Sequence, residues 1–159
     1  AAARTRLKDQ LRYVGDDGNL GEASSGGQGA KVLCDVLYED ADLINSSTIF
    51  SLNDGGSATA RVAVTVNPTG DVIEADARAD GEDDGDANST TSISDGVVHH
   101  VKTIWTTNHL QLSIDGAIEG FDSSAGMPAG LDRIEVGQDR TAANQAIGLI
   151  SAFKVYQLP

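Results

Sequence analysis

Apolar side chains recur at every second position along much of this chain, most clearly between Asp95 and Gly120. From Val97 to Trp105, one side of an extended backbone carries Val97, His99, Val101, Thr103 and Trp105. The other side carries Val98, His100, Lys102 and Ile104. This period-two alternation, rich in β-branched residues, predicts a half-buried strand. Thr106 to His109 is a short polar break, after which Leu110, Leu112 and Ile114 alternate with Gln111 and Ser113. Asp95-Gly96 and Asp115-Gly116 supply tight-turn signals. The stretch therefore predicts an antiparallel meander with its apolar face turned to a second sheet.

The same reading predicts further strands. Lys31 to Tyr38 is largely apolar on both faces and so central; Thr48 to Leu52 is shorter and closes on Asn53-Asp54-Gly55-Gly56. Arg61 to Asn67 and Asp71 to Asp80 form a hairpin about Pro68-Thr69-Gly70. Residues 15–30, 82–94, 121–130 and 138–146 read as loops by composition. At the start, Leu7, Leu11 and Val14 have helical spacing, while a strand over Gln10 to Val14 fits equally well.

The segment Asp95-Gly96, His99-His100-Val101, Trp105, Leu110, Leu112 and Asp115-Gly116 resembles the signature run of laminin-G-like, concanavalin A-type jelly rolls. It departs at Val98, where that family usually has Trp. T-I-F-S-L-N-D-G at 48–55 and R-V-A-V-T-V-N-P-T-G-D at 61–71 are similar to early strands of jelly-roll modules in bacteriophage tail and other virion proteins. L-D-R-I-E-V-G at 131–137 and the closing Gly148, Ile150, Phe153, Val155 and Tyr156 extend the likeness over roughly residues 31–158. The resemblance implies an all-β, two-sheet antiparallel jelly-roll sandwich over 15–159, preceded by a basic arm or first strand over 1–14. It implies His99 on the inner face as a hydrogen-bonded structural residue.

Composition narrows the function. The chain has 159 residues, 18 of them Gly and 3 Pro, which suits one all-β domain. The formal charge is −13, yet the first 12 residues set Arg4, Arg6, Lys8 and Arg12 against Asp9 alone. The acidic body repels nucleic-acid phosphates. No apolar run approaches the roughly 18 residues of a membrane span, so no membrane insertion is expected. No secretory leader is read at the start; a trimmed chain stays open. A lone Cys34, on the face of Val32, Val36 and Tyr38, reads as a small buried hydrophobe.

Three chemistries are worth weighing. Glu74, Asp76, Arg78 and Asp80 share a strand face, as the carboxylates of laminarinase-type jelly rolls do. Arg78 or Ala79 stands where a second Glu is needed, and Asp80 is too far along an extended strand for the roughly 5 Å retaining geometry. A charged, solvent-facing ladder is expected instead. His99 and His100 point to opposite faces and cannot readily chelate together; His109 stands apart. Asp84, Asp86, Asn88 and Asp95 fall at positions 1, 3, 5 and 12 of a loop, the calcium-loop ligand order, but without its Gly, its final Glu or flanking helices. Asp16, Asp17 and Asn19 form a weaker cluster. Calcium is thus the one cofactor candidate. Sequons stand at Asn45 and Asn88. Tyr13 and Phe121 are the aromatics left for sugar stacking.

The resulting expectation is a non-enzymatic virion surface module, a capsid decoration or tail appendage. It would dock through Arg4, Arg6, Lys8 and Arg12 on other virion proteins or on copies of itself, and touch cell-surface glycans weakly. The alternatives are a carbohydrate-binding laminin-G-like module of a secreted or cell-surface protein, and a glycoside hydrolase or lyase.

Overall fold

The computed structural model describes residues 11–14, 29–39, 46–53, 60–79, 82–126, 128, 131, 133–138, 145, 146 and 148–158, with the side chains of 11–14, 82–84 and 157 outside that description. Eleven strands form two antiparallel sheets and no helix among these residues. In chain order they are β1 (Leu11–Val14), β2 (Ala30–Glu39), β3 (Ser47–Asn53), β4 (Arg61–Asn67), β5 (Val72–Ala79), β6 (Glu82–Asn88), β7 (Asp95–Thr106), β8 (His109–Ile114), β9 (Ala117–Asp122), β10 (Arg133–Val136) and β11 (Leu149–Gln157). One sheet runs β1-β10-β3-β4-β5-β6, the other β11-β2-β7-β8-β9. The all-β jelly-roll sandwich that the resemblance implies is the observed architecture.

The core lies between the sheets and follows from side-chain parity. Val62, Val64, Val66, Ile73, Ala75 and Ala77 face inward from β4 and β5; Val32, Cys34, Val36, Val101, Trp105, Leu110, Leu112 and Ile114 face them from β2, β7 and β8. β2 is central, between β11 and β7, as its apolar sequence predicts. Cys34 is buried; desolvation first, and Asp35 second, push its thiol up to about 12, so it is not a nucleophile near neutral pH.

Asp115 and Gly116 both have positive φ, 51° and 88°, between paired Ile114 and Ala117. That is the geometry of a two-residue hairpin whose twist matches the strands, which is why Asp-Gly marks it. His99 is buried on the inner face, as expected. Its Nδ1 lies 2.7 Å from Asp115 Oδ2 and its Nε2 3.2 Å from Asp95 Oδ1. Asp115 also accepts the His100 amide at 2.8 Å. The Asp115-Gly116 turn and the start of β7 at Asp95, where the sequence predicts a turn, are therefore tied to one imidazole.

Several expectations are corrected. Of the two readings for the start of the chain, the strand is the observed one over Leu11–Val14, and it pairs with β10. Residues 82–94 are not one loop, because Glu82–Asn88 pairs with β5 as the edge strand β6. Residues 117–122 form a strand, β9, which the loop reading of 121–130 overlapped. Tyr156, whose strand position reads as core-facing from the sequence, faces out and is 41% exposed, because a bulge between Ser151 and Lys154 shifts the parity of β11.

Candidate functional site

The outward face of the six-stranded sheet is built from the polar halves of its alternating strands. β4 turns out Arg61, Ala63, Thr65 and Asn67; β5 turns out Val72, Glu74, Asp76 and Arg78; β6 turns out Asp86 and Asn88. Register places them in rows. Arg61 is opposite Arg78; Ala63 is opposite Asp76, which is opposite Asp86; Thr65 is opposite Glu74, which is opposite Asn88. The rows continue onto β3 and β10 through Ser51 and Asn53, then Glu135 and Arg133. There the face is covered: Thr48, Ser51, Asn53 and Glu135 are all at most 5% exposed. Over β4, β5 and β6 it is open, with Asp86 and Asn88 exposed and the other polar side chains half-buried.

Asp76 is the hinge of this patch. Its Oδ2 accepts from Arg61 Nε at 3.0 Å and Nη2 at 2.7 Å. Arg78 Nε lies 3.0 Å from Oδ1 and 3.1 Å from Oδ2. Beside it, Asn67 Nδ2 donates to Glu74 Oε1 at 2.7 Å, and Asn67 Oδ1 accepts the Thr69 amide at 2.8 Å. In the covered half, Asn53 Nδ2 donates to Glu135 Oε2 at 3.2 Å. The open half is a rigid grid of donors and acceptors about one strand spacing apart, roughly 4.8 Å. Such a grid suits a ligand carrying several hydroxyls. No aromatic side chain stands among its described outward positions.

The rim beside it is closed by carboxylates. Glu119 on β9 accepts from the Thr90 and Thr91 amides, each at 2.8 Å, and from Thr91 Oγ1. These bonds together outweigh burial, its largest single influence, and hold its pKa below the usual range. Asp122 accepts from Ser124 and from the Asp86 amide, and is lowered by the Ser124 hydroxyl first. Both carboxylates hold protein donors in place.

The sequence-selected residues fall as follows. Glu74, Asp76 and Arg78 do share a face; Asp76 and Arg78 form the Arg–acid pair, joined by Arg61, which the sequence reading did not single out, while Glu74 is held by Asn67. Asp80 lies outside the described residues. Asp86 and Asn88 lie side by side on β6, and Asp84 is on that strand with its side chain undescribed. Asp95 begins β7 on the other sheet, where it caps the Val97 amide at 2.9 Å and meets His99. The segment that gave the calcium ligand order is therefore the strand β6, a connection over 89–94 and the first residue of β7. Among the described residues no three His, Cys, Asp or Glu side chains could hold one metal ion. His100 pairs with Asp35 at 2.6 Å on the opposite face from His99, and His109 packs edge-on to Phe121 at 4.9 Å. Phe121 is exposed on the five-stranded sheet, away from the polar grid. Arg4, Arg6, Lys8, Asp16, Asp17, Asn19 and Asn45 lie outside the described residues; Arg12 is in β1, opposite Glu135. The signal that could have found Arg61 and Asn67 is the polar parity of β4.

Comparison with known proteins gives the fold its relatives. No protein-family model and no curated protein matches the sequence. Among solved structures, the CBM40 of the Ruminococcus gnavus IT-sialidase bound to α2,3 sialyllactose is similar at TM-score 0.67 and 12% identity, covering 91% of this chain and 84% of that one. Domains LG4-5 of the mouse laminin α1 chain are similar at 0.63 and 13%, covering 94% and 40%. Domain 4 of AbnA, an extracellular GH43 arabinanase from Geobacillus stearothermophilus in complex with arabinotriose, is similar at 0.60 and 16%, covering 85% and 64%. This chain thus spans less than two thirds of the laminin and arabinanase chains. The likeness establishes a concanavalin A-like, laminin-G-like jelly roll.

Proposed function

We propose that this protein is a non-catalytic glycan-binding module that holds sugar hydroxyls on the outward face of β4, β5 and β6. The observation that carries the reading is the open register grid of Arg61, Thr65, Asn67, Glu74, Asp76, Arg78, Asp86 and Asn88. Two fold relatives support it, since their structures hold sialyllactose and arabinotriose. The non-catalytic part rests on Asp76, which is engaged by two arginines and so poorly suited to act as an acid or a nucleophile. Without an aromatic platform, binding depends on hydrogen bonds that net about 0.5–1.5 kcal/mol each. Four or five of them correspond to a Kd on the order of a millimolar.

Screening the whole chain on a glycan array, followed by calorimetry of the best ligand, tests the reading. The Asn88→Ala and Arg61→Ala variants should each weaken binding by about tenfold, the loss expected for a hydrogen bond to a charged or fixed partner. Chelator should leave the affinity unchanged; a loss on chelation would instead place calcium in the binding event. Wild-type affinity in both variants would remove the site from this face. Placement on a virion surface or in an extracellular setting belongs to the same proposal. The virion placement rests on the strand sequences alone, since none of the solved structures named above is a virion protein.

A further inference from the structure

Resting on that glycan reading, we infer that the β4–β6 surface selects uncharged sugars over carboxylated ones, with Asp76 as the residue that sets the selection. Arginine is the side chain that grips a carboxylate in paired hydrogen bonds. Both arginines of the open grid are already engaged with a carboxylate of the protein. Arg61 presents Nε and Nη2 to Asp76 Oδ2, and Arg78 presents Nε to both Asp76 oxygens. Asp76 is only 15% exposed, against 30% and 35% for the arginines, so the ion pairs are partly shielded from water.

A sugar carboxylate arriving here would compete with one already in place. It would also lie near Glu74 on the same strand face and Asp86 directly across the register. The chain charge of −13 adds a field of the same sign. A hydroxyl meets no such conflict, because it donates to Glu74 or Asp86 and accepts from Asn67, Asn88, Thr65 or an arginine edge. The acidic sugar in the structure of one fold relative is thus not the ligand class this grid favours.

The test is calorimetry of the whole chain with the best neutral oligosaccharide, with its C6-oxidised uronate, and with a sialylated counterpart as a second carboxylate source. The neutral ligand should bind roughly tenfold or more tightly than either acid. In Asp76→Asn, released arginines should narrow or invert that ratio, with folding checked by circular dichroism. Should that variant fail to fold, Asp86→Asn should narrow the ratio without disturbing either arginine. Acidic sugars binding as tightly as the neutral one to the wild type would overturn the selection while leaving glycan binding intact. So would an unchanged ratio in folded Asp76→Asn. Absence of binding to any sugar would remove both.

Discussion

Thr103 faces inward from β7 with no exposure, and its hydroxyl finds no hydrogen-bond partner among the described residues. A buried unsatisfied hydroxyl costs about 1–3 kcal/mol. Thr103→Val keeps the shape and removes the polar atom, so it should stabilise the fold by about 1 kcal/mol, seen as a higher urea midpoint at unchanged slope. His99 gives the opposite lesson. Burial lowers its pKa as the largest single influence, but Asp115 and Asp95 together outweigh it and raise the pKa above 6.5. Its contribution is therefore complete below pH 6.5 and is lost as pH rises through the higher folded value. Asp95 and Asp115 are lowered, chiefly by the Val97 and His100 amides, so their contribution is lost as pH falls below 3.8. His100 is raised too, by Asp35 first, and adds to the alkaline loss. Unfolding curves should show stability falling as pH rises above 6.5, and His99→Gln should flatten that fall. A slope identical in the variant would contradict the assignment. The His99 position was legible from the resemblance of the motif; its two carboxylate partners were present in the sequence only as turn signals.

At the scale of elements, strands with large inward residues were legible and strands with small ones were not. β7 and β8 announce themselves by Val101, Trp105, Leu110, Leu112 and Ile114. β6 turns in Gly85 and Ala87, which carry little hydrophobic signal, and its acidic sequence reads as a loop. The small residues are there because β6 and β9, the edges of the two sheets, approach closely. A Cβ on Gly120 would lie 2.6 Å from the Asn88 nitrogen and 2.7 Å from the Ala87 carbonyl carbon. Since backbone cannot rotate away, Gly120→Ala should destabilise by about 1–3 kcal/mol, measured by thermal unfolding. β11 offers the converse case. Ala152 sits in its bulge at φ 49°, a left-handed conformation that costs a Cβ-bearing residue about 1–2 kcal/mol. After the entropy glycine adds to the unfolded chain, Ala152→Gly should still gain roughly 0.5 kcal/mol. A loss in that variant would mean that the bulge is not strained.

The molecule as a whole is a sandwich with two unlike outer faces. The five-stranded sheet turns out Val98, Ile118, Phe121, Leu149 and Tyr156, while the six-stranded sheet turns out the polar grid. The grid was half legible. Glu74, Asp76 and Arg78 could be placed on one face by parity, but Arg61 joins them only through the register of β4 against β5. The calcium ligand order presumes a loop, and Glu82–Asn88 is instead paired with β5: spacing along the chain counts as a loop only where the backbone is not paired. The central claim is that sugar hydroxyls meet the outward face of β4, β5 and β6. Amide chemical-shift changes on titrating a neutral oligosaccharide into the ¹⁵N-labelled protein test it most directly. The account predicts shifts concentrated on Arg61 to Asn67, Glu74 to Arg78 and Asp86 to Asn88. Shifts confined to β2, β7, β8 and β9, or none at saturating sugar, would contradict it.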